Sequence, residues 1–136
     1  MTGVQTCALP ICIFPSNHLE RLALRTDGFV SVHAGLAGGE LRTKPLLLEG
    51  SNLVLNYATS AAGSIQLEIQ DAHGNPLPGF ALEDSPLIWG DRIDAPVGWS
   101  RPSSRTDPEP LKRLAGMPVR LRFVLKDADL YSIRFR

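Results

Sequence analysis

A repeated alternation of apolar and polar residues constrains the fold of this chain more than any other feature. In three segments the apolar side chains occupy every second position: Leu53, Leu55 and Tyr57, then Ile65, Leu67 and Ile69, then Val119, Leu121, Phe123 and Leu125. A period of two is typical of a β-strand that buries one face and leaves the other in water. These side chains are therefore predicted to face one shared core between two antiparallel sheets.

Turn signals separate the alternating segments at intervals typical of an all-β domain. They occur at residues 27–28, 38–39, 49–51, 62–63 and 73–75, each of which contains glycine. Further strands are predicted at residues 22–26, 29–34, 40–48, 80–82 and 130–135. About eight strands in all favour a two-sheet antiparallel β-sandwich of the jelly-roll type.

Residues 83–110 have a different composition from the rest of the chain. Proline recurs at positions 86, 96, 102, 108 and 110, and residues 100–109 are almost wholly polar. Because proline cannot donate a backbone hydrogen bond, this segment is not expected to form a central strand. It is predicted to be a long excursion with strand-like pieces at 87–89 and 97–99. A single helical turn is predicted at 111–115, where Gly116 and Pro118 follow.

The first residues are predicted not to belong to the domain. Residues 2–11, TGVQTCALPI, resemble the translation of a common short-read sequencing adapter, preceded by a start codon. The alternative is a secretory leader, but no Lys or Arg precedes Arg21, and Pro10 interrupts the apolar stretch. Residues 1–13 are therefore interpreted as an artefactual leader, and residues 14–136 as a single domain.

Composition argues against several classes of partner. Lys plus Arg equals Asp plus Glu at 14 each, so no basic field is available for nucleic acid or a membrane surface. Both cysteines, Cys7 and Cys12, lie in or next to the adapter-like segment. The domain is therefore expected to use neither a thiolate nucleophile nor a Cys-ligated metal.

Catalytic patterns are weak. The available imidazole bases are His18, His33 and His73, and no serine lies in a Gly-x-Ser-x-Gly elbow. Asp127 and Asp129 are interpreted as a tight turn between the last two strands. The sequence thus predicts no catalytic residue and no required cofactor.

A structural calcium ion is a second possibility for the acidic residues. Carboxylates can supply the oxygen ligands that calcium requires, although no segment has an established calcium-loop spacing. The candidate metal ligands are Asp84, Asp91, Asp127 and Asp129, with Glu83 beside them.

Sugar binding would depend on exposed aromatic side chains. Tyr57 and Tyr131 have the phase of core positions and are predicted to be buried. Trp89 and Trp99 lie in the proline-rich excursion, so they are the candidate ligand-binding residues. The alternative is that both fold back to cover an open edge of a sheet.

A resemblance to a known family covers nearly all of residues 14–136 and is specific in four phrases: DGFVS, GGELxTKPL, GSIxxEIQDAxGxPxPGF and LRFxLKDADLYS. On these the chain resembles the C-terminal β-sandwich of large planctomycete-type, β-propeller glycoside hydrolase-like proteins. The resemblance implies a non-catalytic, structural accessory module of a larger secreted or periplasmic carbohydrate-active hydrolase. Its partner would be the upstream catalytic domain of the same parent chain. The alternative is a carbohydrate-binding module that uses Trp89 and Trp99.

Overall fold

The computed structural model describes residues 20–99 and 110–136. In this part of the chain the fold is all-β and antiparallel, as predicted, and two short 3₁₀-helices are its helical segments. The strands are β1 (Val32–Ala34), β2 (Gly39–Arg42), β3 (Leu46–Leu47), β4 (Leu53–Gln70), β5 (Asp91–Val97) and β6 (Pro118–Phe135). The 3₁₀-helices are Leu82–Asp84 and Pro110–Leu114. The second confirms the predicted helical turn before the last strand.

Two strands of 18 residues each, β4 and β6, form the centre of the sheet. Strands β1, β2 and β3 pair in succession along one edge of β6, and β5 pairs with the far edge of β4. The described strands therefore form one antiparallel sheet. The two-sheet jelly-roll arrangement stays a prediction.

The β4–β6 ladder has two halves that differ in regularity. In the regular half, residues 64–70 pair with residues 120–126 without any shift of register. In the bulged half, residues 53–59 pair with residues 128–135, and the register shifts between Asn56 and Tyr57, which leaves Tyr131 as an extra residue. A second shift between Thr59 and Ser64 separates the halves. Bulges of this kind bend a strand and increase its twist.

Gly63 lies at the junction of the two halves, where the strands approach closely. A Cβ atom at this position would lie 2.2 Å from the Asp127 carbonyl oxygen. Asp127 itself has a φ of 45°, in the left-handed region. The junction therefore requires a residue without a side chain at position 63.

Two predicted turns are wrong for this reason. Residues 62–63 and residues 127–129 were expected to reverse the chain, but they lie inside β4 and β6, respectively. Their glycine and aspartate residues form the junction bulge, so what was predicted as four strands is two. Three of the other four turn signals lie at bends or turns between elements, and the fourth, residues 38–39, directly follows a turn and includes the first residue of β2.

The remaining strand predictions are partly wrong. Residues 22–26 and 80–82 are not strands, and only Val32–Ala34 of the stretch 29–34 is extended. The stretch 40–48 is divided into β2 and β3, with Pro45 between them. The proline-rich excursion supplies β5, an edge strand, which agrees with its exclusion from the centre.

The core lies on one face of the sheet and contains the side chains that alternation predicted. Fully buried, at 0–1% exposure, are Leu53, Leu55, Ile65, Leu67, Ile69, Val119, Leu121, Phe123 and Leu125. Leu48, Phe80, Leu111 and Leu114 pack against them from outside the strands. On the opposite face of the regular half, not every side chain is exposed to solvent, because Glu68 and Gln70 are buried as well.

The predicted leader at residues 1–13, His18 and the polar residues 100–109 lie outside the described residues.

Candidate functional site

The two candidate sugar-binding tryptophans have different environments. Trp89 is 71% exposed. Trp99 packs against the core and meets the Phe80 ring edge-on, with the centroids 5.3 Å apart and an angle of 72° between the planes. The Trp99 indole nitrogen is buried without a hydrogen-bond partner in the structure. Trp89 therefore has the exposure of a stacking platform, whereas Trp99 covers the core.

The backbone around Trp89 is fixed on both sides. Ile88 and Ile65 exchange two backbone hydrogen bonds of 2.8 and 2.9 Å. The Tyr57 hydroxyl donates to the Trp89 carbonyl at 3.2 Å. Gly90 donates to the Thr59 hydroxyl at 2.9 Å and accepts from the Thr59 amide at 2.8 Å. The exposed indole is thus attached to an ordered support.

The four candidate metal ligands are not brought together. Asp84 lies in the first 3₁₀-helix, and Asp127 lies at the junction bulge, opposite the unpaired residues 60–63 of β4. Asp91 forms an ion pair with Arg25, and Asp129 accepts hydrogen bonds at the β1 edge. Among residues 20–99 and 110–136, no group of three or more His, Cys, Asp or Glu side chains has the arrangement of a metal site.

A small polar cluster is formed by Ser31 just before β1, His33 on β1 and Asp129 on β6. The Ser31 hydroxyl donates to Asp129 Oδ1 at 2.7 Å, and His33 Nδ1 lies 3.1 Å from the same oxygen. In a catalytic triad the serine hydrogen-bonds to the imidazole, and the carboxylate orients the far side of the ring. Here the serine is directed to the carboxylate instead. The cluster therefore lacks the order that would activate a serine nucleophile.

Residues 20–31 form a segment, here called the strap, that lies across the bulged half. Its anchor is Arg25, whose side chain donates to Asn56 Oδ1 at 2.6 Å and to the carbonyls of Tyr57 and Arg92 at 2.8 Å each. The guanidinium also lies 4.7 Å from the centroid of the Tyr131 ring, within the range of a cation–π contact. One side chain thus links β4, β5 and β6.

Asn56 completes this attachment from the sheet. Its side chain is 1% exposed and donates to the Thr26 carbonyl at 2.7 Å. The Ser132 hydroxyl donates to Asp27 at 2.8 Å. Tyr131 was predicted to be buried in the core and is only half-buried. Because Tyr131 is the extra residue of the bulge, its side chain does not point into the core, and its ring lies against Arg25 instead.

The strap has an inverted distribution of polarity. Its contacts with the sheet are polar, whereas its large apolar side chains face solvent. Four of the eleven exposed large apolar residues in the described ranges lie in the strap, Leu22, Leu24, Phe29 and Val30, and Val32 and Leu36 follow directly after it. Clustered exposed apolar side chains are typical of a surface that another protein region covers.

A charged group lies on the outer face of the regular half. Arg122 donates to Glu40 on β2, and its Nη1 lies 3.5 Å from the buried Glu68. The hydrogen bond from Arg122 lowers the pKa of Glu40, and the same bond raises the pKa of Arg122. Glu68 also accepts from Gln70 at 2.6 Å and from the Leu82 amide at 3.2 Å. Both acids are therefore held in fixed positions.

Beside this group is an open groove of about 390 Å³. Its lining residues are Gln66, Glu68, Ala81, Leu82 and Glu83.

Sequence patterns do not predict the roles of several of these residues. The opposite charges of Glu68 and Arg122 were visible, but their pairing depends on a strand register that alternation does not define. Arg25 and Asn56 are 31 residues apart, and no local sequence pattern predicts their contact.

In the described ranges, no helix is long and apolar enough to cross a membrane.

Comparisons of the chain with protein-family models, curated proteins and solved structures find no match.

Proposed function

We propose that this domain is a non-catalytic accessory module of a larger carbohydrate-active hydrolase, and that the strap packs against the catalytic domain. The observation that carries the proposal is the inverted strap. Phe29 is 88% exposed and Val30 is 77% exposed, while the same segment is attached to the sheet by Arg25. An attached segment that directs its apolar side chains outward is suited to an interface with another domain.

The ion pairs of two acidic residues, Asp91 and Asp94, favour a non-catalytic role for these side chains. Glycoside hydrolysis requires two carboxyl groups on either side of a bond, about 5–10 Å apart in a cleft. Asp91 is paired with Arg25, and Asp94 is paired with Arg134 and Arg136 on an exposed surface. These acids are engaged in ion pairs on a sheet rather than directed into a common cleft.

The interface is tested in the two-domain protein that the proposal predicts, expressed from a gene that encodes both domains. Phe29→Ser should lower the melting temperature of the catalytic domain and increase its proteolysis, because the two domains would separate. Met117→Ser is the matched control, since Met117 is 46% exposed but lies outside the strap. Equal behaviour of both variants would contradict the proposal.

The non-catalytic role is tested with the chain alone. Incubation with aryl glycosides and polysaccharides should release no product above the level of a buffer blank. Turnover that disappears in Asp84→Asn or Asp91→Asn would overturn the proposal, because it would assign these acids to a catalytic pair.

Carbohydrate binding is a second candidate function, and the exposure of Trp89 favours it. An indole face stacks on the apolar C–H face of a pyranose ring, which needs only a flat accessible surface. Trp99 is less suited to this role, because its ring contacts Phe80 and packs against the core. Its test is a comparison of glycan binding by the chain and by Trp89→Ala.

A further inference from the structure

Trp89 and the groove lie on the same face of the sheet. Ile88 packs against the core and bridges to Ile65, which is fully buried. Successive residues of an extended segment point to opposite faces, so Leu87 and Trp89 project away from the core. Their exposures of 60% and 71% agree with this orientation.

The Ile88–Ile65 bridge also determines which residues lie beside Trp89. In an antiparallel pair, Leu87 lies opposite Gln66 and Trp89 lies opposite Ser64. Gln66 is in turn a lining residue of the groove. The exposed side chains of Leu87 and Trp89 thus lie next to the groove, with Gln66 between them.

The groove contains both fixed and available hydrogen-bonding groups. Glu68 is 4% exposed and is held by Gln70, the Leu82 amide and Arg122. Gln66 donates to the Leu82 carbonyl over 3.5 Å, a weak contact that a ligand can replace. Glu83 is exposed at the end of the groove. Gln66 supplies an amide donor and an acceptor, and Glu83 supplies a carboxylate acceptor.

We infer that Trp89, Gln66 and Glu83 form one binding track for a neutral oligosaccharide of at least two sugar units. One pyranose stacks on Trp89, and a neighbouring unit enters the groove and hydrogen-bonds to Gln66 and Glu83. The ligand is neutral because the charged residues that line the groove, Glu68 and Glu83, are both acidic. Uronic or sulfated sugars would meet charges of the same sign. This inference rests on the carbohydrate-binding candidate for Trp89.

The ordered backbone around Trp89 also favours binding. Association costs free energy whenever a mobile loop must be ordered. Ile88 and Gly90 are already held to β4 on either side of the indole. Little additional ordering of this segment is therefore needed when a sugar stacks on it.

The test is calorimetric titration of the full chain with cellohexaose, xylohexaose and a fructo-oligosaccharide of similar length. With the probe that binds, Trp89→Ala should weaken affinity about tenfold or more. Gln66→Ala and Glu83→Gln should each weaken it about threefold to tenfold. Phe29→Ala is the matched control, because it removes an exposed aromatic ring on the strap and should leave affinity unchanged. Circular dichroism checks that each variant folds.

The outcomes separate the track from the candidate function on which it rests. Loss of affinity in Trp89→Ala with no change in Gln66→Ala and Glu83→Gln would keep carbohydrate binding and overturn the track. Affinity that survives Trp89→Ala would overturn both. So would the absence of binding to all three probes.

Discussion

The two halves of the β4–β6 ladder show what local pattern does and does not determine in this fold. In the regular half, seven residues of β4 pair in sequence with seven of β6, from Ser64 and Lys126 to Gln70 and Arg120. Every second side chain enters the core. In the bulged half the alternation of core positions along β6 is interrupted twice. After Leu125 the next core residues are Ala128 and Leu130, and after the bulge at Tyr131 the next is Ile133.

The difference has a physical origin in what lies on the outer face. The regular half is flanked there by the groove and the charged group around Arg122. The bulged half is covered by the strap. At Asn56 the register shifts in both ladders that β4 forms, the one with β6 and the one with β5. Asn56 is also the residue that exchanges hydrogen bonds with the strap. A regular ladder thus supports the core, and an irregular one adapts the sheet to a covering segment.

The largest expected effect is in the regular half. Phe123→Ala should lower the free energy of unfolding by about 3–5 kcal/mol, because a fully buried ring is removed and a cavity remains. Val124→Ala is the neighbouring control on the other face, where the side chain is half-buried, and should cost less. Urea unfolding measures both. A loss in Phe123→Ala of less than about 1 kcal/mol would show that the core phase is wrong.

A smaller effect is expected at the junction between the halves. Gly63→Ala should cost about 3 kcal/mol, because its Cβ would lie 2.2 Å from the Asp127 carbonyl oxygen and the strands would have to separate. Gly35→Ala is a matched control, since a Cβ there meets nothing within 4 Å. Thermal unfolding of the two variants compares them. Equal stability would mean that the junction tolerates a side chain.

The regular half could be predicted from the sequence. So could the β4 side of the bulged half, where Leu53, Leu55 and Tyr57 are buried as alternation predicted, but the β6 side of the bulged half could not. Alternation identified Ile65, Leu67 and Ile69 as core residues because their register is uniform. No sequence period reveals an inserted residue, so Tyr131 was assigned to the core and residues 127–129 to a turn. The phase of a strand beyond a bulge depends on its partner strand, and that information is long-range.

The candidate site was predictable to a similar extent. Trp89 was identified from its residue type in a polar, proline-rich segment. Gln66, Glu68 and Glu83 converge only after β4 and the first 3₁₀-helix are placed side by side. Alternation also predicted that Glu68 and Gln70 face solvent. Both are buried, because the segment after β4 folds back over them and the Leu82 amide donates to Glu68.

In the bulged half the strap should contribute moderately to stability. Arg25→Ala should lower the free energy of unfolding by about 2 kcal/mol, because it leaves the buried Asn56 side chain without a donor. Arg21→Ala, at an exposed strap position, should change it by less than about 0.5 kcal/mol. Urea unfolding and limited proteolysis of the strap measure the two. If Arg25→Ala leaves proteolysis unchanged, Arg25 is not the anchor.

The smallest effect is expected in the hairpin after the regular half, which is held by contacts only a few residues apart. Asp71 accepts hydrogen bonds from the Asn75 side chain at 3.0 Å, from the Asn75 amide at 2.9 Å and from the His73 amide at 2.8 Å. These bonds lower the pKa of Asp71 below its ordinary value, with the Asn75 side chain as the largest cause. The ionised form is therefore favoured by folding.

The sign of the pH dependence follows from this lowered pKa. The stabilisation is fully present above the pKa of Asp71 in the unfolded chain, and it is lost as the pH falls through the lower pKa of the folded state. Asp71→Asn keeps an acceptor for the backbone amides but removes the charge. The melting temperature of Asp71→Asn should therefore lie slightly below that of the parent chain at neutral pH, and the two should converge as the pH falls below about 4, the ordinary pKa of an aspartate. Asn75→Ala should show the same convergence, because it removes the main donor. A difference that stays constant with pH would mean that the hairpin depends on the shape of Asp71 rather than on its charge.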